Sequence, residues 1–414
     1  TRYSSWDFIR GQESDPYVAM VTPPLERFRA QYHPLQFEET RDGHRLQGMI
    51  NRSAVKQEAD YPIVKCVDAA LEFLQGNHTS DSWFLQMETF DPHEPFAAPA
   101  RFRQEYSAED TGYEGPILDW PRYRKVEETK AEIAELKANY AALVRFCDEQ
   151  LGRILDKMDA LGLWDDTAII LTTDHGFLLS EHDWWAKNRM PFYNEVAHIP
   201  LMIYHPEMTL PGGSRISALT QTTDLMPTIL ALHEAEHPSQ MPGKVPEQVL
   251  GQVPEQVLGQ SLLAYLFDQP RDARPIALYG IFGGALNATD GRYTYFCYPE
   301  NMESQELFEY TLMPMHNRSL FELYELEPAT LYRGFSFTKE APVLKLPAFA
   351  SAKRSPRQGG FSDTQTFLYD LQSDPQQLRP FRDATIEAEL RKLILAEMRA
   401  HEAPEELYKR FDLT

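Results

Sequence analysis

The passage from residue 125 to residue 176 limits the fold more than any other. Residues 125–160, KVEETKAEIAELKANYAALVRFCDEQLGRILDKMDA, are rich in Ala, Leu, Glu and Lys, with apolar residues three and four apart. That pattern predicts one long amphipathic helix, and Gly162 marks its end. A turn at Trp164-Asp165-Asp166 follows, then TAIILTTD at 167–174. The unbroken apolar run AIIL predicts a strand buried on both faces, as in a parallel sheet. Helix, turn, buried strand and polar cluster make a unit of the α/β kind. In such sheets ligands lie beyond the carboxyl ends of strands, where Asp174-His175-Gly176 stands. The expected fold is α/β, with a large, mostly parallel sheet flanked by helices.

Other segments fit that frame. YPIVKCVDAALEFLQG (61–76) predicts a helix ending at Gly76. WFLQMETF (83–90) reads as a short buried strand running into the turn Asp91-Pro92-His93-Glu94-Pro95-Phe96, where proline opposes helix and strand alike. HIPLMIYHP (198–206) reads as a strand, and TTDLMPTILALH (222–233) as a helix with a Thr/Asp start. The polar, Pro-rich stretch 234–260 repeats VPEQVLGQ at 245–252 and 253–260. Two copies are too few for a solenoid, so a surface loop lengthened by duplication is expected. Beyond about residue 272 strands alternate and turn at Asp290-Gly291, TFLYDL follows at 366–371, and 384–402 has helical spacing. This predicts a smaller antiparallel sheet with a packed helix. The expected domains are 1–270, an α/β catalytic body, and 271–414, a C-terminal α+β subdomain.

A net charge of -22 opposes a phosphate backbone, so nucleic acid is not an expected partner. A small anionic substrate remains compatible, because local cations or a metal override the global field. No apolar run reaches the ~18–20 residues of a membrane span. No signal peptide is visible at Thr1, so cytoplasmic, periplasmic and secreted locations all stay open, as does a homo-oligomer. Cys66, Cys147 and Cys297 form neither a disulfide framework nor a zinc pattern and read as buried free thiols. Asn51, Asn77, Asn287 and Asn317 begin N-x-S/T sequons, which matter only in a secretory compartment.

Chemistry concentrates in TTDHGFLLSEHDWWAKNRMPFYNEVAHIPLMIYHP (172–206). Asp174 and His175 can ligate one divalent cation. The carboxylate suits Ca²⁺, Mg²⁺ or Mn²⁺, and the imidazole suits transition metals. By themselves they can equally form a hydrogen-bonded turn. Lys187, between two tryptophans and Met-Pro-Phe-Tyr, is either a solvated charge or an ammonium held against an anionic oxygen. Glu181 and His182 read as turn-stabilising groups. His93, on its Pro-bracketed turn, can bind an anion or protonate a departing oxygen, or serve structure alone.

The order D-H-G, E-H, K-N-x-M, E-x-x-x-I-P-L resembles the long signature of sulfatases and their phosphonate monoester hydrolase relatives in the alkaline-phosphatase superfamily. D-P-H-E-P-F, TTDLMPTIL and FLYDLQSDPQQ resemble further family stretches. Trp6-Asp7-Phe8-Ile9-Arg10-Gly11-Gln12-Glu13 and Tyr310-Thr311-Leu312-Met313-Pro314 resemble a bacterial arylsulfatase-like branch. The resemblance implies two-step ester hydrolysis by a formylglycine and a divalent metal, Ca²⁺ first, with Mn²⁺ or Mg²⁺ as alternatives. It makes Asp174 and His175 metal ligands, Lys187 the cation at the bridging oxygen and His93 an active-site histidine, all four meeting in one pocket. The substrate would be a small anionic ester. The pair D-H, where many sulfatases have D-N, leans towards the phosphonate branch. The family's C/S-x-P-x-R nucleophile motif and its first Asp-Asp pair are absent, and Ser355 in SPRQG is out of order. An N-terminal segment carrying them is therefore expected upstream, so that this chain alone would be inactive; the alternative is an anion-binding remnant without turnover.

Overall fold

The computed structural model describes residues 3–37, 44–106, 108–188, 191–233, 259–267, 273–302, 306–316, 319–339, 341–348 and 364–413. Most of the tandem repeat, Met190, Asn317 and Ser355 lie outside the described residues. The chain divides into two compact units. One comprises Thr1–Ala168 with Phe177–Ala186, the other Ile169–Gly176 with Lys187–Thr414. The division at residue 270 remains a proposal from the sequence.

The first unit is organised by the helix Lys130–Leu161. The Thr129 hydroxyl accepts from the Glu132 amide and the Glu132 carboxylate accepts from the Thr129 amide, closing the capping box. At the other end Gly162 adopts φ 68°, the left-handed cap that glycine takes without a Cβ penalty. The helix buries Ala142, Leu143 and Phe146 against Ile63 and Val64 of the helix Pro62–Asn77, and against Phe96 and Phe102. Gly76 lies within that last helix rather than ending it. A second cluster joins Phe28, Tyr32, Met49 and Ile50. Strands Leu178–Leu179 and Trp185–Ala186 pair antiparallel, with Trp185 fully buried and its indole N–H donating to Glu128.

In the second unit, strand Ile169–Thr172 pairs antiparallel with Leu201–Tyr204, Ile169 opposite Tyr204. A four-stranded antiparallel sheet runs in the order Phe367–Asp370, Tyr293–Cys297, Ala285–Thr289, Ala277–Ile281. Helix Ala384–Ala400 packs Leu390, Ile394 and Met398 on its Ile276, Ala288, Tyr295 and Leu368. A three-stranded sheet orders Phe308–Thr311, Val343–Pro347 and Thr330–Tyr332. Asp224, which opens the helix Leu225–Leu232, is buried and takes both guanidinium nitrogens of Arg274 at 2.6 Å.

The fold is thus mixed α/β, but the large, mostly parallel sheet is not what the described residues form. Every strand ladder among them is antiparallel. An apolar run such as AIIL reports a demand for burial, whereas direction is set by the partner strand. Here that partner is Leu201–Tyr204, and all four residues of Ile169–Thr172 are only half-buried. Residues 83–90 join no ladder, although their exposure alternates along the segment as in an extended strand. The smaller antiparallel sheet with its packed helix matches expectation.

Candidate active site

Asp174 and His175 follow directly on the strand Ile169–Thr172. The Asp174 carboxylate is 81% exposed. Its Oδ1 accepts from the His175 amide at 2.9 Å and from the Thr173 hydroxyl at 3.3 Å. Its Oδ2 lies 3.4 Å from His175 Nε2. His175 Nδ1 donates to the Gly176 carbonyl oxygen at 2.9 Å, which leaves Nε2 as the ring nitrogen facing the carboxylate. The two side chains thus lie side by side at the end of the strand.

Gly176 does not adopt a positive φ, so its place is explained by close packing. A Cβ there would stand 1.8 Å from the Glu195 carbonyl oxygen, and the Gly176 amide donates to Val196 at 2.8 Å. Only a residue without a side chain allows this approach, which fixes the Asp174-His175 turn against the short helix Asn194–Ala197.

Lys187 is 5% exposed, which excludes the solvated surface charge weighed from sequence. Its neighbours Ala186 and Asn188 both adopt positive φ, 83° and 79°. Ser180, His182 and Asp183 do so too, so five of the eleven non-glycine residues with positive φ among those described fall within 180–188. Each such conformation costs about 1–2 kcal/mol, and this concentration is typical of functional segments. Composition gave no sign of it. Glu181 accepts from the Leu179 amide at 2.5 Å, in keeping with a turn-stabilising group.

His93 belongs to the first unit. Its Nδ1 donates to the Glu94 carbonyl at 2.7 Å and lies 3.3 Å from Glu94 Oε2, which leaves Nε2 as the nitrogen available to a ligand. Phe90 holds the ring, centroids 4.2 Å apart. Glu94 is 1% exposed and accepts from the Tyr123 hydroxyl, whose pKa is raised by burial and by Glu94. Burial also pushes Asp91 up to about 7. Sequence reasoning missed Asp91, Glu94 and Tyr123; the acidic residues flanking His93 were the available signal. Of the three cysteines only Cys297 is buried, Cys66 and Cys147 being half-buried; desolvation still raises the pKa of Cys66 and Cys147 and brings Cys297 to about 11, so none is a ready nucleophile.

As a metal half-site, Asp174 and His175 supply one oxygen and one nitrogen donor on the same side of a fixed turn. That suits two positions of a divalent coordination sphere. No cluster of three or more His, Cys, Asp or Glu side chains able to hold a metal occurs among the described residues.

The sulfatase family model matches residues 25–235, and the C-terminal model of N-sulphoglucosamine sulphohydrolase matches 180–330. The chain belongs to the sulfatase family. It is 28% identical over 202 residues to the multifunctional alkaline phosphatase superfamily protein PehA of Trinickia caryophylli, covering 43% of this chain and 39% of that protein. To the arylsulfatase of Clostridium perfringens it is 27% identical over 209 residues, covering 47% of this chain and 43% of the other. The chain thus spans less than half the length of these relatives. Among solved structures it superposes on phosphonate monoester hydrolases of Agrobacterium radiobacter (TM-score 0.52, 17% identity, 84% of this chain and 62% of that one) and Silicibacter pomeroyi (TM-score 0.52, 21% identity, 83% and 60%). At those identities the likeness shows the fold. No helix among the described residues is long and apolar enough to cross a membrane.

Proposed function

We propose that this chain carries part of the active site of a metal-dependent hydrolase of sulfate esters. The observation that carries the reading is the exposed Asp174 carboxylate with His175 Nε2 3.4 Å away, on a turn that Gly176 locks in place. Family membership and the arylsulfatase relative support the sulfate ester as substrate. Asp174 and His175 would hold a divalent cation, with Ca²⁺, Mn²⁺ or Mg²⁺ as candidates. When bound, the cation polarises the non-bridging oxygens of the ester. The buried Lys187 ammonium neutralises charge developing on the bridging oxygen. His93 Nε2, with Nδ1–H anchored on Glu94, accepts or returns a proton.

A second reading, hydrolysis of phosphonate monoesters or phosphodiesters, draws on the D-H pair at 174–175 and on the likeness to PehA. Both reactions place negative charge on non-bridging oxygens, so the same cations serve either. Turnover of p-nitrophenyl sulfate by the full-length protein faster than of a phenyl phosphonate ester supports the first reading, and the reverse order supports the second. Hydrolysis of neither, in full-length protein that is folded and metal-loaded, rejects both.

A further inference from the structure

The first unit contains an open cavity of about 420 Å³ between the helices Leu25–Gln31 and His44–Arg52 and the segment through Tyr61. Three cations line it, Arg27, Arg52 and Lys56, with Tyr32 and Tyr61 among the aromatic walls. No carboxylate lines it among the described residues, in a chain of net charge -22. Asp119, 3% exposed, pairs with Arg52 from behind and neutralises one charge, so a net charge of about +2 faces the space. The Arg52 guanidinium lies over the Tyr32 ring at 5.8 Å and also acts electrostatically on Tyr61; Arg27 acts on Tyr32. The carboxylates of Asp91 and Glu58 also reach Tyr61, but Glu58 is held by Arg101 at 2.6 and 2.9 Å. Lys56 Nζ donates to the Ser53 backbone carbonyl. The carbonyl ends of the two helices oppose an anion with about half a charge each, which two side-chain cations outweigh.

We infer that this cavity binds the oxyanion head of a small organic sulfate or phosphate, with the cations on the oxygens and the organic body against the aromatic walls. Arg52, fixed by Asp119 and Tyr32, is preorganised to offer a guanidinium edge to such a head group. The volume lies within the range of small-ligand sites. The inference concerns binding in one unit and does not depend on the hydrolase reading.

Isothermal titration calorimetry at constant ionic strength tests it, with benzenesulfonate and phenylphosphonate as probes, neither of which contains an ester, and benzamide as the uncharged control. Saturable binding of at least one anion, with none of benzamide, is expected, and the preferred probe separates the sulfur from the phosphorus source. The double variant Arg27→Gln/Lys56→Gln, both exposed positions, should weaken binding on the order of tenfold or more. Arg29→Gln/Lys130→Gln removes the same charge outside the cavity and should change affinity less than about twofold. Asp174→Asn should leave it unchanged. The inference is overturned if neither anion binds, if both double variants lose affinity equally, or if Asp174→Asn abolishes binding while Arg27→Gln/Lys56→Gln does not.

Discussion

Replacing Gly176 by alanine tests whether the Asp174-His175 turn is held as described. The new Cβ would lie 1.8 Å from the Glu195 carbonyl oxygen, about half an ordinary contact distance, and backbone rather than a movable side chain stands in the way. The two segments must separate by more than an ångström. That breaks the 2.8 Å hydrogen bond from the Gly176 amide to Val196, worth about 1 kcal/mol. Displacing packed backbone adds about 1–3 kcal/mol. The sum is a loss of about 2–4 kcal/mol, or roughly 5–15 °C in melting temperature for a unit of this size. Gly212→Ala supplies the control, because a Cβ there meets nothing within 4 Å. Thermal unfolding followed by circular dichroism reads both variants. A Gly176→Ala protein that melts within a degree of wild type would refute the close approach and the explanation of why glycine occupies this position.

Further outcomes follow from the same reasoning. Gly152 lies inside the long helix with open space around it, so Gly152→Ala should stabilise the protein by about 0.5–1 kcal/mol in urea titration; a loss would mean that the helix face is packed there. Asp91 has its carboxyl raised to about 7 by burial, so the folded state holds the proton more tightly than the unfolded one. Stability should therefore fall as pH rises from about 4 to about 7, by about 1–3 kcal/mol after allowance for solvent at this half-buried group. Asp91→Asn should match wild type near pH 4 and exceed it at pH 8, and equal pH profiles would contradict the assignment. Arg274→Met leaves Asp224 buried without its guanidinium and should cost about 3–5 kcal/mol in unfolding titration, an unchanged midpoint counting against a buried pair.

The parts of the fold that local chemistry dictates were readable in the chain. Thr129, Glu132 and Gly162 bound the long helix because their side chains, or the lack of one, satisfy its ends. The hairpin at Asp290-Gly291 and the packed helix Ala384–Ala400 followed in the same way from turn chemistry and spacing. Strand direction was not readable, because AIIL encodes burial and not the identity of its neighbour. Residues 83–90 show the same limit: the apolar and aromatic run predicts a buried strand, but no residue of it is buried and it joins no ladder. At the site, adjacency along the chain made Asp174 and His175 legible. The anchoring of His93 by Glu94 and Tyr123 needs residues 29 positions apart, and the positive φ angles of 180–188 leave no mark in composition. Two of the four sequons have a structural explanation. Asn51 is 2% exposed and donates to the Glu13 and Asp15 carbonyls, and Asn287 is fully buried, so neither is open to a glycan in the folded chain.

The proposal of a metal-dependent ester hydrolase stands or falls on what Asp174 and His175 hold. Elemental analysis of the purified full-length protein beside its Asp174→Asn/His175→Gln variant, paired with their rates on p-nitrophenyl sulfate, measures this directly. A stoichiometric divalent ion in the wild type, lost from a variant that remains folded together with most of its turnover, is the predicted result. Equal metal content and equal rates in the two proteins would contradict it.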